Sequence, residues 1–377
     1  MTEDVDPTLS RIMKKIRATA PYPRHRSLRS KTLIKTVLSS KSEETFKLSL
    51  LLRTRGCSWV REEGGCTMCG FVQESAYPRS VSAKFVVQQF ERFCEKSSQL
   101  RKRFILEIYT CGSFFDDNEI SKEARTKILH LAASNPNIER LVFECRPEHI
   151  DSRTMRNAKR LLGKKNATIA MGLETSDDFV RKKCLNKGFS FNAFLNSAKI
   201  VKEFFGLRVY LLLKPPFLTE KESLEDATRS INDISTLADE IVLMPNSVQK
   251  YTLVHYLWLK RMFRSPWLWT IVEVCNSVKN VKNLRIGGLR LYPRPIETAH
   301  NCGSCDTEIL ASISKFPQRG ISVFENLDCK CKREWETTLL EESPSLEDRI
   351  EYFYKQLDSE KRYVFNSTNV NDLRKQR

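Results

Sequence analysis

The sequence predicts an α/β fold: a partial or complete βα barrel, preceded by a basic N-terminal arm and followed by a small cysteine-rich C-terminal module. Three observations carry this expectation. From about residue 46 to residue 289, short β-branched or leucine-rich runs alternate with amphipathic stretches, the pattern of a parallel sheet with right-handed crossovers. Between Asp6 and Glu43 stand ten Lys or Arg residues and no acid. From residue 291 the alternation stops, and four of the twelve cysteines gather there. The expected units are therefore 1–44, 45–290 and 291–377.

The arm carries Arg11, Lys14, Lys15, Arg17, Arg24, Arg26, Arg29, Lys31, Lys35 and Lys41. Pro21 and Pro23 interrupt any long helix in it. Such an unopposed charge suits contacts to phosphate, with a solvated tail as the alternative. Strands are expected at Phe46–Arg53, Phe104–Tyr109, Ile138–Phe143, Thr168–Leu173, Leu207–Leu213, Glu240–Met244 and Leu284–Leu289. Helices are expected at Ala83–Leu100, Lys122–Ala133, Ser152–Leu162, Ser176–Leu185, Asn192–Phe205, Leu224–Leu237 and Thr252–Phe263. Gly206 occupies the place of a helix C-cap. Six or more such units predict a barrel whose active site lies at the C-terminal ends of its strands. A last helix is expected after Ser345, with Asp348 completing its cap and Leu346, Ile350, Phe353 and Leu357 on one face.

The composition narrows the function. The net charge of +17 raises the prior for a polyanionic partner, nucleic acid in particular. No run of eighteen apolar residues exists and no apolar signal core opens the chain, so a cytoplasmic protein without a membrane partner is expected. Twelve cysteines in such a protein point to metal or cluster ligation before disulfides.

Cys57, Cys66 and Cys69 fall directly after the first predicted strand, at the functional end of a barrel. Three thiolates on one loop can hold three irons of a [4Fe–4S] cluster and leave the fourth open. An open iron can bind S-adenosylmethionine and, on reduction, cleave it to a 5′-deoxyadenosyl radical. Zinc and ordinary buried thiols are the alternatives. The lack of a fourth ligand within the loop weighs against structural zinc. Further candidates stand at later strand ends. Gly112 and Ser113 can receive the cofactor's amino group, or form a turn capped by Asp116 or Asp117. Glu144 and Arg146 either pair with each other or bind the cofactor's ribose and carboxylate. Glu174 can hold its hydroxyls or amine. Lys187 reads as an exposed lysine or as a contact to phosphate or substrate, and Lys214 as part of a rigid turn. Asn246 and Gln249 are candidates for hydrogen bonds to a base or an amino-acid moiety. Cys111 and Cys145 are substrate-facing thiols or small core residues.

Cys302, Cys305, Cys329 and Cys331 form a second set. Four thiolates can close a structural zinc site or hold a second cluster, and a set without metal, or one using His300, stays open.

The residues at successive strand ends resemble the radical SAM proteins of archaeosine biosynthesis, related to the Elongator catalytic-subunit branch of that superfamily. The likeness runs through Arg53-Thr54-Arg55-Gly56-Cys57 and its wide cysteine gap, Thr110-Cys111-Gly112-Ser113-Phe114-Phe115-Asp116 and Glu144-Cys145-Arg146-Pro147-Glu148. It continues through Gly172-Leu173-Glu174-Thr175, Asn186-Lys187-Gly188-Phe189, Met244-Pro245-Asn246 and Tyr292-Pro293-Arg294-Pro295. Met68 stands where an aromatic is common, and Cys145 where Ser is expected. The resemblance implies a barrel of radical SAM type, a [4Fe–4S] cluster and S-adenosylmethionine, and it favours the cofactor reading of Glu144 and Arg146. It further implies a tRNA substrate, cleavage of the C–N bond of a lysine adduct on a 7-cyano-7-deazaguanine-derived base to give archaeosine, a lysine-transferring partner subunit and an external electron donor. A radical SAM enzyme on another RNA or a small molecule, and a non-catalytic zinc-stabilised RNA-binding protein, are the rival readings.

Overall fold

The computed structural model describes residues 4–20, 31–39, 44–100, 102–289 and 294–365, with backbone alone for 31–39, 44 and 45. Arg24, Arg26, Arg29 and Lys41 of the arm, and Tyr292-Pro293, lie outside the described residues.

The chain runs α1 (Pro7–Thr19), β1 (Lys31–Ser39), β2 (Glu44–Leu51), α2 (Ser58–Glu63), α3 (Ala83–Ser98), β3 (Phe104–Tyr109), α4 (Lys122–Ser134), β4 (Ile138–Glu144), α5 (Ser152–Leu162), β5 (Asn166–Glu174), α6 (Asp178–Lys183), α7 (Phe191–Phe204), β6 (Gly206–Leu213), α8 (Glu220–Ile234), β7 (Glu240–Pro245), α9 (Leu253–Leu259), α10 (Leu268–Ser277), β8 (Leu284–Ile286), α11 (Asp306–Arg319), α12 (Cys331–Leu340) and α13 (Leu346–Ser359). The eight strands form one sheet in chain order. β1 pairs antiparallel with β2, and β2 to β8 are parallel. Among the described residues β8 does not pair back to the other edge, so the barrel is partial.

Alternation along each strand makes the two faces of this sheet different. Leu48, Leu50, Leu106, Ile108, Leu141, Phe143, Ile169, Met171, Leu207, Val209, Ile241 and Leu243 turn outward and build the main core with the helices. The residues between them face the lumen. They include a small apolar group, Ile105, Val142 and Ala170 with Tyr210 against it. They also include a chain of alternating charges across the sheet. Lys47 Nζ lies 2.5 Å from Glu107 Oε1, which lies 2.6 Å from Arg208 Nη1. Arg208 Nε lies 2.6 Å from Glu240 Oε2, and Arg285 Nε lies 3.0 Å from Glu240 Oε1. Buried ions survive only in pairs, and this chain supplies every member with a partner.

A second apolar cluster lies beside the barrel. Leu9, Ile12, Met13 and Ile16 of α1 pack with Val180, Cys184, Leu253, Val254, Leu257 and Trp258, and with Ile350, Tyr354 and Leu357 of α13. Arg11 and Lys15 both bond Asp358, Lys14 pairs with Glu63, and Lys183 pairs with Asp6. The described half of the basic arm is thus a helix bound into the fold, and Lys31 and Lys35 lie on β1.

Two local expectations are corrected. Gly206 opens β6 and does not cap α7, whose C-cap is Phe205 in an extended conformation. The 252–263 helix is shorter, and the apolar run Leu268–Ser277 forms α10, which no strand–helix alternation announced.

Candidate active site at the barrel mouth

Three strands leave the sheet through non-glycine residues in the left-handed region: Cys111 (φ 71°) after β3, Glu174 (φ 69°) ending β5 and Lys214 (φ 66°) after β6. Each such residue costs about 1–3 kcal/mol, and strain of this kind gathers at functional sites. The three cysteines sit at this same end. Cys57 is the N-cap of α2, directly after β2, and Cys66 and Cys69 lie on the loop that follows. The loop is gripped from the segment after α6. Asn186 Nδ2 donates to Glu63 O (2.8 Å) and Gly65 O (2.9 Å), Thr67 N donates to Leu185 O (3.1 Å), and Trp59 Nε1 donates to Asn186 O (2.7 Å).

Burial pushes the Cys57 thiol up to about 12, against the opposing Arg146 charge; burial also raises Cys69, against Arg17 and Lys187. Thiols in such a place ionise only when a metal takes the proton's position. Arg146 is positioned for that charge. Its guanidinium stacks 4.9 Å from the Trp59 ring and 5.5 Å from Phe189, donates to Lys187 O (2.6 Å) and pairs with Glu148, not with Glu144. Lys187 is a buried cation and not an exposed one; its Nζ lies 2.6 Å from Glu174 Oε1.

Gly112 and Ser113 join the exits of β3 and β4 to the cysteine loop. A Cβ on Gly112 would stand 2.7 Å from Cys57 Cα and closer still to the Glu119 carboxyl. Ser113 N donates to Glu119 Oε2 (2.5 Å), and Ser113 Oγ accepts from Arg146 N (3.0 Å). Asp116 accepts from Ser58 Oγ (2.5 Å), while Ser121 caps α4. Glu144 lies below, among the lumen groups. Burial, then the Glu107 charge, raises its carboxyl to about 8, so it holds a proton at neutral pH. Lys214 pairs with Glu220 at 2.6 Å, and Asn246 Nδ2 donates to Lys214 O (2.9 Å). Gln249 packs against Gly70 and donates to Ser247 Oγ (3.3 Å). Cys111 and Cys145 are buried at the strand exits.

Glu119 carries no signal in the sequence, Asn186 stands in a segment of the resemblance without an assigned role, and Arg17 reads there only as a cation of the arm. Arg17 offered a signal. It falls four residues after Met13, on the stripe Leu9, Ile12, Met13 and Ile16, so it faces inward.

The C-terminal cysteines form a tight quartet. Their sulfurs lie within 4.8 Å of one another, with Cys302–Cys305 at 3.9 Å, Cys302–Cys329 at 3.7 Å and Cys305–Cys331 at 3.6 Å. Metal–sulfur bonds of about 2.3 Å in a tetrahedron place sulfurs about 3.8 Å apart, so the quartet fits one ion. Cys57, Cys66 and Cys69 do not form such a group among the described residues. The three share the end of the sheet at which the strands leave it. The quartet seats on α10: Trp269 Nε1 donates to Cys331 Sγ (3.3 Å) and Asn301 Nδ2 to Cys305 Sγ (3.5 Å). Backbone N–H groups around Cys302 lower its thiol to about 6. His300 is held by Thr298 O (2.9 Å) and is not a member.

The chain is thus an α/β protein built on a parallel half-barrel, with three thiols on the segment after its first parallel strand. No family model matches the chain. It is 34% identical over 303 residues to archaeosine synthase subunit beta of Methanosarcina acetivorans, covering 78% of this chain and 86% of that one. It is 32% identical to archaeosine synthase subunit beta of Thermococcus kodakarensis, covering 77% and 90%. The archaeal Methanocaldococcus infernus Elp3 with its N-terminus deleted resembles it in structure at a TM-score of 0.46, with 15% identity over 66% of this chain and 61% of that one. The chain belongs to the archaeosine synthase subunit beta family.

Proposed function

We propose that the protein is a radical SAM tRNA-modifying enzyme that cleaves the C–N bond of a lysine adduct on a 7-cyano-7-deazaguanine-derived tRNA base, leaving the amidine of archaeosine. The observation that supports this reading is the trio Cys57, Cys66 and Cys69 on the segment that follows β2 at the strained mouth of the half-barrel, in a chain 34% identical to an archaeosine synthase subunit beta. The donor set fits a [4Fe–4S] cluster: three thiols, and cations at Arg146 and Lys187 to offset the charge. When bound, that cluster with S-adenosylmethionine supplies a 5′-deoxyadenosyl radical that takes hydrogen from the lysine side chain.

The chain's own residues orient and shield. Gly112 lets the β3 exit close on Cys57, and Ser113, Glu144, Arg146 and Glu174 are the groups within reach of a cofactor there. Arg146, rigid between two rings, offers a fixed positive charge to a carboxylate. Glu144, protonated, donates where a carboxylate would accept. A base must leave its stack to reach this mouth. Arg55 and Lys250, exposed on loops at the mouth, and the net charge of +17 support binding by phosphates and shape. The quartet at Cys302, Cys305, Cys329 and Cys331 is read as structural zinc. A lysine-transferring partner subunit and an external one-electron donor complete the system.

The test is anaerobic purification with iron and sulfide analysis, then reduction in the presence of S-adenosylmethionine and tRNA bearing the lysine adduct. Formation of 5′-deoxyadenosine and archaeosine, both lost in Cys66→Ala, supports the reading. Zinc without iron in the Cys57 loop overturns the enzyme. Cofactor cleavage without archaeosine overturns the substrate.

A further inference from the structure

We propose that Arg17 is a positioning residue for the cluster: its guanidinium fixes the path of the Cys66–Cys69 loop and places a permanent positive charge behind the cluster, favouring the reduced state. This rests on the reading that Cys57, Cys66 and Cys69 hold iron.

The argument begins with α1. Asp6 caps it, accepting from Leu9 N at 2.8 Å, and Leu9, Ile12, Met13 and Ile16 bury one face. Arg17 continues that face and is only 3% exposed. A buried guanidinium must find acceptors, and among those of Arg17 are four carbonyls of the described residues. Nε donates to Gly64 O (2.9 Å), Nη1 to Tyr251 O (3.2 Å), and Nη2 to Cys66 O (3.1 Å) and Cys69 O (2.8 Å). Two of these belong to cluster cysteines themselves. Asn186 takes the carbonyls of Glu63 and Gly65, so the two side chains between them hold the carbonyls of Glu63, Gly64, Gly65, Cys66 and Cys69.

The helix and the loop are in van der Waals contact. Gly64 has φ 76°, and a Cβ there would stand 2.6 Å from Lys14 N and 2.7 Å from Met13 Cβ. Arg17 therefore cannot drift away from the loop without unpacking α1. Its partners are separated along the chain, from residue 64 to residue 251, which a planar fork reaches and a point ammonium does not. A cluster held by three thiolates carries net negative charge that grows on reduction. A fixed cation in a water-poor setting lowers the cost of that added electron, and nearby charge is one of the levers on cluster potential.

Arg17→Lys and Arg17→Met, in the full-length anaerobic protein, separate the two effects. Amide hydrogen exchange at Gly64, Gly65, Thr67 and Cys69, whose N–H groups are bonded in the intact loop, reads the clamp. A redox titration followed by electron paramagnetic resonance reads the charge. Arg17→Met is expected to speed exchange at these amides and to lower the midpoint potential. Arg17→Lys is expected to speed exchange while keeping the potential close to wild type. Unchanged exchange in Arg17→Lys overturns the clamp, and this variant decides the matter if Arg17→Met does not fold. A potential that falls equally in both variants, or in neither, overturns the role of the charge. Absence of iron from the wild type would sink the cluster reading instead, and exchange in the metal-free protein would still judge the clamp.

Discussion

Glu119 Oε1 lies 2.6 Å from Thr54 Oγ1, and that hydroxyl lies 2.8 Å from Thr110 O. One hydroxyl proton cannot serve both acceptors. A proton on Glu119 resolves the conflict: the carboxyl donates to Thr54, and Thr54 donates to Thr110 O while accepting from Gly56 N at 3.1 Å. Burial raises Glu119 from 4.5 to about 8, in agreement with a protonated group. The folded state then binds more protons than the unfolded chain between those two values, so this contribution is full below about pH 4.5 and is lost as pH rises through about 8. Glu119→Gln keeps one donor and one acceptor in place. It is expected to flatten the decline of melting temperature between pH 5 and pH 8, leaving a remainder from Glu144. A slope equal to wild type would refute protonation.

The two cysteine sets are expected to lose different metals. Cys66→Ala should remove iron and leave the metal of the C-terminal quartet. Cys302→Ala should remove about one equivalent of the quartet's metal, leave iron in place, and cost on the order of 3 kcal/mol, as loss of a structural metal does. Metal analysis with chemical denaturation checks both. Loss of iron in Cys302→Ala would reverse the assignment.

Stripping the quartet should also be visible in fluorescence. Trp269 donates to Cys331 Sγ, and Trp335 Nε1 donates to Thr270 Oγ1 at 2.9 Å on the same helix. A chelator that removes the metal is expected to shift tryptophan emission and lower the melting temperature together. Emission that stays constant while the metal leaves would show that the quartet does not organise α10.

Gly112→Ala forces a methyl between Cys57 and Glu119. Overpacking of this kind costs about 1–3 kcal/mol. Iron per chain should fall with the melting temperature, because the displaced atom is the Cα of a cluster cysteine. Full iron loading with normal stability would show that the β3 exit is free to retreat.

Glu174 and Lys187 form a buried pair, so Lys187→Met alone is expected to cost about 3–5 kcal/mol by leaving a lone charge. Adding Glu174→Gln should recover most of that stability. S-adenosylmethionine affinity should not recover with it if Glu174 touches the cofactor. Equal recovery of both would reduce the pair to a structural role.

The parallel strands β2 to β8 were legible because each is a short apolar run bounded by helical periodicity, and such runs carry their own conformational preference. The C-terminal cysteines could be grouped from their spacing, and the structure brings those four sulfurs together. β1 was not, since Lys31–Ser39 carries cations of the arm, Lys31 and Lys35, and only pairing with β2 makes it a strand. Lys187 read as exposed because its partner, Glu174, is on another element. Arg17 read as a phosphate contact because its acceptors are backbone carbonyls, which no side-chain pattern announces.

By itself the sequence determined where the parallel strands and most of their helices fall and which four C-terminal thiols gather, because apolar runs, helical periodicity and spacing are local properties of a chain. Tertiary structure alone decided that Glu119 meets Thr54 from 65 residues away, that Asn186 grips Gly65 from 121 away, and that a cation of the arm backs the cysteine loop. These are long-range contacts made by single polar groups. Their energy depends on burial and on one geometry, and neither exists until the chain has folded around them.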